Sequence, residues 1–232
     1  MTPTLHVHPT AELAERVLLP GDPGRALLLA QVLLEQPKMF NHNRGLWGYT
    51  GAAADGEPLT IQSTGMGGPS AAIVIEELVR LGARRLVRVG TCGALVGGFA
   101  LGDSIVPHEA ICRDGTSRAL GGGERVAADA ALTEALLAAA GREGGARSGA
   151  VVTTDLFYDE AGEHADRSPA DALAIEMETA TLFRLATLRG VQAGCVLAVS
   201  DLLGPARGHI DAETLEAAAE RVGRIAAAAL SG

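Results

Sequence analysis

Apolar residues recur along this chain in two rhythms. Short runs at 17–19, 86–90 and 193–200 are nearly continuous in Val, Leu, Ile and Ala. Each stops at Pro, Gly or Ser, the pattern of strands buried on both faces. Longer stretches at 25–34, 71–81, 127–140, 179–188 and 212–230 repeat apolar positions every three or four residues and predict helices. Residues 47–54 and 59–63 read as a strand pair about Asp55-Gly56, a favoured hairpin turn. Further strands are expected at 103–108, 150–154 and 173–176. Gly65-Met-Gly-Gly-Pro-Ser70 breaks the chain before a helix, with Pro69 suited to the first turn and Gly82 to the end. Strand–helix alternation with buried strands predicts an α/β fold whose central sheet is covered on both faces. The glycine-rich stretches 121–124 and 141–145 read as surface loops and no repeat is present, so 1–232 is expected to form a single domain.

Composition narrows the functional classes. A net charge of −9 leaves no broad basic field, which argues against nucleic acid or an anionic membrane as a partner. It leaves room for a small anion held by a few focused cations. Three cysteines (Cys92, Cys112, Cys195) without ligand-like spacing suggest a reducing compartment and no metal site. The N-terminus lacks a basic-then-apolar leader and no run spans a membrane, so a cytoplasmic location is expected.

The chemistry concentrates where strands end. Arg88 lies between Val87 and Val89 inside an apolar run, followed by Gly-Thr-Cys-Gly. A buried cation is costly unless an anion meets it, and glycines let backbone N–H groups close on that anion. The alternative is an internal ion pair with Glu76 or Glu77. Thr91 adds a hydroxyl beside it. Arg25, in Pro20-Gly-Asp-Pro-Gly-Arg25, and Arg44 have similar settings, although either could be a plain surface arginine. Ligands of open α/β sheets gather beyond the carboxyl ends of strands, where 21–25, 65–70, 90–93 and 200–201 all fall.

Glu176 and Glu178 stand two apart, so in a strand they share a face. A carboxylate there could hold a sugar diol; it could equally favour a helix N-terminus. Met177 between them is core filler or a sugar contact. Asp201 follows an apolar strand and could serve as a general acid, or merely cap a turn. Phe157 and Tyr158 could stack on a flat base. His6 and His8 near the terminus are exposed, or reach a neighbour.

Together these elements resemble the nucleoside phosphorylase family, of the hexameric bacterial purine type with uridine phosphorylase as close kin. The matching strings, in family order, are Leu19-Pro-Gly-Asp-Pro-Gly-Arg25, Asn43-Arg-Gly-Leu-Trp-Gly-Tyr49, Ser63-Thr-Gly-Met-Gly-Gly-Pro-Ser70, Arg88-Val-Gly-Thr-Cys-Gly-Ala94, Asp155-Leu-Phe-Tyr158, Glu176-Met-Glu178 and Val199-Ser-Asp201. The resemblance implies a three-layer α/β/α sandwich around a mixed, partly barrel-like sheet. It implies a homohexamer, a trimer of dimers with sites shared between subunits. It implies phosphorolysis of purine nucleosides, with inorganic phosphate as co-substrate and no cofactor or metal. By resemblance Gly21, Arg25, Arg88 and Thr91 hold phosphate, and Arg44 completes that site in a neighbouring subunit. Glu178, Met177 and a neighbour's His6 hold the ribose, with His8 as the other choice. Cys92, Gly93, Phe157, Ile175, Glu176, Ser200 and Asp201 line the base pocket, and Asp201 and Arg88 carry the catalysis.

Two departures stand out. The family's arginine early in the last helix, which meets the acidic aspartate, has no counterpart in Asp211-Ala-Glu-Thr-Leu-Glu216; Arg207 and Arg221 are the candidates to replace it. Thr91 stands where the purine enzymes carry serine. The alternatives are uridine phosphorylase, a water-using nucleosidase of related fold, and a silent nucleotide-binding protein. The uracil-reading insertion of uridine phosphorylase is not visible between Tyr158 and Glu176, and a pyrimidine offers Asp201 no imidazole nitrogen.

Overall fold

The structure is a computed structural model that describes residues 4–158, 168–203 and 207–231. Among them lie eleven strands of one sheet. The first five are β1 (Arg16–Leu19), β2 (Glu35–Asn41), β3 (Gly48–Ala52), β4 (Pro58–Gln62) and β5 (Arg85–Ala94). They are followed by β6 (Ser104–Cys112), β7 (Arg125–Ala127), β8 (Arg147–Thr153), β9 (Ala172–Glu176), β10 (Gln192–Leu202) and β11 (Gly208–His209). The helices of the described residues are α1 (Pro23–Leu33), α2 (Gly68–Leu81), α3 (Gly115–Ala119), α4 (Ala130–Gly141), α5 (Thr179–Arg189) and α6 (Ala212–Leu230).

Strand β5 is the hub. It pairs in parallel with β10, which pairs with β6, then β8, then β9, and β9 returns antiparallel to β5. These five strands close on themselves, so the central sheet is mixed and barrel-like. From the other edge of β5 the sheet opens through β1, β4, β3 and β2. The hairpin at Asp55-Gly56 forms as expected, with Gly56 at φ 81°.

Alternation along the strands builds two cores. Leu18, Val87, Val89, Val196 and Ala198 face one side, where they meet buried residues of α1, α4 and α6. Val17, Leu19, Leu86, Cys195 and Leu197 face the other, under α2 and α5. Helices thus cover both faces, the three layers the resemblance implies. Each buried Val, Leu or Ile stabilises the fold by about 1.5–3 kcal/mol relative to exposure.

Differences from the sequence-based expectation have physical causes. Strand β5 runs to Ala94, beyond Gly90, because β10 and then β9 supply backbone partners for Gly-Thr-Cys-Gly. Strand β2 was not expected: it is polar, holds Pro37 and lies at the sheet edge, where a missing N–H costs nothing. The helix expected from residue 127 starts at Ala130, capped by the Asp129 carboxylate on the Leu132 N–H, because 125–127 form β7.

Candidate active site

Arg88 sits on the β5 face that looks toward α2 and α5, across from Cys195 on β10 and Leu19 on β1. It is buried, as its apolar neighbours predict, and it is ion-paired. Its partners are not Glu76 or Glu77. Nε donates to Glu176 Oε2 at 3.0 Å, and a terminal nitrogen lies 2.6 Å from Glu178 Oε2. Burial alone would lower the Arg88 pKa, but the two carboxylates outweigh it and hold the group firmly protonated. Gly90 makes room: a Cβ there would lie 2.8 Å from the guanidinium carbon.

The two glutamates do different work. Glu176 is saturated: besides Arg88 it accepts the Thr153 hydroxyl at 2.6 Å and the N–H groups of Glu178 and Thr179 at 2.9–3.0 Å. It therefore secures the N-terminus of α5 as well as orienting Arg88, which is a framework role in the place where a base contact was expected. Glu178 accepts the Gly67 N–H at 2.5 Å and pairs with Arg88. Burial pushes the Glu178 pKa up, Arg88 pulls it back and Glu176 adds to the rise. Gly67, at φ 83°, opens α2 in a backbone region that favours glycine, and this aims its N–H at Glu178.

Arg25 comes to the same spot from the first turn of α1, whose N-cap Asp22 accepts the Arg25 N–H at 2.7 Å. Its guanidinium is half-buried and forms no ion pair or side-chain hydrogen bond among the described residues. Burial lowers its pKa, Asp22 opposes that, and the nearby Arg88 charge lowers it further. Two guanidinium groups thus converge with only Arg88 neutralised. Gly21 lies on the preceding turn, strapped to the loop of Gly65 by the Gly65 N–H on its carbonyl at 3.0 Å. Thr91 is half-buried on β5 opposite Ala198.

Beyond them, the carboxyl ends of β5, β9 and β10 bring the base-side candidates together. Gly93 faces Ile175 in register, and a Cβ on Gly93 would lie 2.7 Å from Leu203. Cys92 is buried with its thiol pKa raised by burial. The register between β5 and β10 slips between Val199 and Asp201, a bulge that re-aims the side chains there. The Ser200 hydroxyl donates to Asp201 Oδ2 at 2.7 Å, and His209 Nδ1 lies 2.7 Å from Asp201 Oδ1. Phe157 and Tyr158 are exposed and stacked edge to face at 5.2 Å. Residues 159–167, where the uracil-reading insertion was sought, lie outside the described residues.

Arg44 and His6 lie on adjoining segments. Arg44 is exposed on a tight turn over Asn43–Gly45, at φ 58°. Asn43 donates to the His6 carbonyl at 2.9 Å. Glu77 of α2 accepts the Leu5, His6 and Val7 N–H groups at 2.7–3.2 Å and the His6 ring at 2.8 Å. Burial raises the Glu77 pKa, but these donors outweigh it and hold it near about 2, so His6 Nδ1 is the donor and Nε2 is left for another partner. The His8 ring folds onto the Leu5 carbonyl.

Sequence reasoning missed His209 and Thr153; it had Gly67 only within a glycine-rich break and Glu77 only as a possible partner of Arg88. A histidine eight residues after Asp201 was the one available signal: such spacing fits an antiparallel return. Of the arginines proposed to meet Asp201, Arg221 donates to the Gly102 carbonyl and Arg207 is exposed.

The chain matches the model of the phosphorylase superfamily over residues 15–231. Among similar proteins, a guanosine phosphorylase of Halorubrum lacusprofundi is 40% identical over 191 residues, 81% of this chain and 78% of that one. A DeoD-type purine nucleoside phosphorylase of Oceanobacillus iheyensis is 40% identical over 196 residues, 82% of this chain and 83% of its own. One from Bacillus cereus is 41% identical over the same length.

Proposed function

The chain belongs to the phosphorylase superfamily, and from that premise we propose that it is a purine nucleoside phosphorylase. It converts a purine nucleoside and inorganic phosphate to the free base and ribose 1-phosphate. The observation that carries the reading is the guanidinium of Arg25, without an ion pair among the described residues, beside Arg88 and Glu178. A half-buried cation with another cation for neighbour calls for an anion. The names of the relatives support purine nucleosides as substrates.

In this reading phosphate takes Arg25, Arg88, the Gly21 backbone and Thr91, with Arg44 supplied by a neighbouring subunit. Glu178 accepts hydrogen bonds from the ribose hydroxyls, with Met177 against the sugar. Arg88 then bridges the two substrates, one nitrogen toward Glu178 and another toward phosphate. As the C1′–N9 bond breaks, positive charge grows on the sugar and the phosphate below it serves as counter-charge and nucleophile. Asp201 gives a proton to N7 of the base, so the purine leaves neutral. Cys92, Gly93, Ile175 and Ser200 line the base side, and Phe157 stacks on the base.

We take the assembly to be a homohexamer, a trimer of dimers in which Arg44 and His6 serve a neighbouring subunit's site; the exposure of Arg44 and the contact of its segment with that of His6 support this reading. The chain acts as one domain in the cytoplasm, its three free cysteines all buried. Among the described residues no helix is long and apolar enough to cross a membrane.

The test is a panel of guanosine, inosine, adenosine, uridine and methylthioadenosine, each with and without phosphate. Base release from purine nucleosides only when phosphate is present is expected. Equal release without phosphate would make the protein a nucleosidase, and release from uridine alone a uridine phosphorylase.

A further inference from the structure

We propose that His209 is a positioning residue for the acid Asp201, a role filled here by a neutral imidazole where the first turns of the last helix offer no arginine. The proposal rests on the purine phosphorolysis reading above.

The geometry is built by the backbone. The short strand β11 turns back on β10 so that His209 stands in register with Asp201, and the Ile210 N–H donates to the Ser200 carbonyl at 2.9 Å. Side chains opposed in an antiparallel pair lie on one face. His209 Nδ1 comes to 2.7 Å from Asp201 Oδ1, and in this proposal Oδ1 accepts from Nδ1–H both before and after the acidic proton has passed to the base. The Ser200 hydroxyl holds the other oxygen at 2.7 Å, but it also lies 3.3 Å from the Cys92 carbonyl and has one hydrogen to give. His209 is therefore the steadier of the two donors. Its side chain is 76% exposed, so it contributes little to the core. Its side chain meets the Asp201 carboxylate.

The chemistry explains the need. Asp201 enters the step as a neutral carboxylic acid. Its proton passes to N7 while the C1′–N9 electron pair goes to the base and a phosphate oxygen bonds to C1′. Asp201 ends as a carboxylate. A donor fixed on Oδ1 strengthens as that charge develops, and it keeps the carboxyl plane from rotating away from N7. A neutral donor suits an acid better than a permanent cation, which would favour ionisation before the base arrives.

The experiment compares wild type, His209→Ala and His209→Asn on guanosine and on 7-methylguanosine, with phosphate present. The methylated base already carries its positive charge at N7 and leaves without a proton. His209→Ala is expected to lower kcat on guanosine about 10- to 100-fold with KM little changed, the worth of one hydrogen bond to a charged group. On 7-methylguanosine it should match wild type. His209→Asn, whose amide keeps a donor near Nδ1, should recover most of the loss. Wild-type turnover of guanosine by His209→Ala would overturn the proposal. So would an equal loss on both substrates, which marks a merely structural role. Failure of Asn to rescue would also overturn it, in favour of a proton supplied by the imidazole itself. A wild type inert on both nucleosides would instead remove the purine phosphorolysis reading.

Discussion

Replacing Arg88 by Met tests the junction between the sugar side and the phosphate side. The side chain is buried and bonds two carboxylates, at 3.0 and 2.6 Å. Removing it leaves Glu178 and Glu176 without the cation they share. Breaking a buried pair from one side costs about 3–5 kcal/mol. In a chain of this size that is a fall in Tm of about 6–20 °C. The same change removes one preorganised cation from the reaction, a further factor of about 10²–10³ in kcat. Stability and chemistry are separable. Arg88→Met combined with Glu178→Gln removes one of the stranded charges, and it should restore part of the lost Tm while activity stays low. Thermal melts and phosphate-saturation kinetics on both variants read the two effects. An unchanged Tm with an unchanged phosphate KM in Arg88→Met would refute both the buried triad and its link to phosphate.

Arg25→Ala should behave differently, because its guanidinium has no ion-pair partner among the described residues to strand: the phosphate KM rises about tenfold or more while Tm stays within about 2 °C. Asp201→Asn should lower turnover of guanosine and adenosine about 10²–10³-fold, read by base release, and leave 7-methylguanosine nearly untouched. The N-terminal arm should respond to acid through Glu77. Its carboxyl is held near about 2 in the fold, so the stability it contributes is complete above the ordinary carboxylate pKa and drains away as pH falls from there toward about 2. Limited proteolysis of the arm should therefore accelerate over that window, and Glu77→Gln should show the loosened arm already at neutral pH; equal protection in the two proteins would count against the clamp.

The buried strands and the closing helix were legible because their apolar rhythm is long and unbroken; Ala212–Leu230 matches the expected span. Arg88 was legible for a different reason, a charge in an apolar run that has to be answered. Which charge answers it was not. Glu76 and Glu77 are nearer in sequence, but α2 spends Glu76 on Arg80 and Arg189 and Glu77 on the N-terminal arm. The true partners, Glu176 and Glu178, arrive only because β9 closes the ring beside β5. Period-two spacing does not account for the pair, because β9 ends at Glu176 and Glu178 is the N-cap residue of α5. The same closure turned Glu176 from a pocket residue into a bracket for Arg88 and α5. His209 was hidden because a two-residue strand has no periodicity, and β2 because an exposed polar edge carries no apolar signal.

Phosphorus NMR of the protein mixed with guanosine and inorganic phosphate goes to the root of the matter. Inorganic phosphate should fall and ribose 1-phosphate should rise in equal amounts as guanine appears. Guanine released beside an unchanged phosphate signal would mean that water, rather than phosphate, is the nucleophile at Arg25 and Arg88.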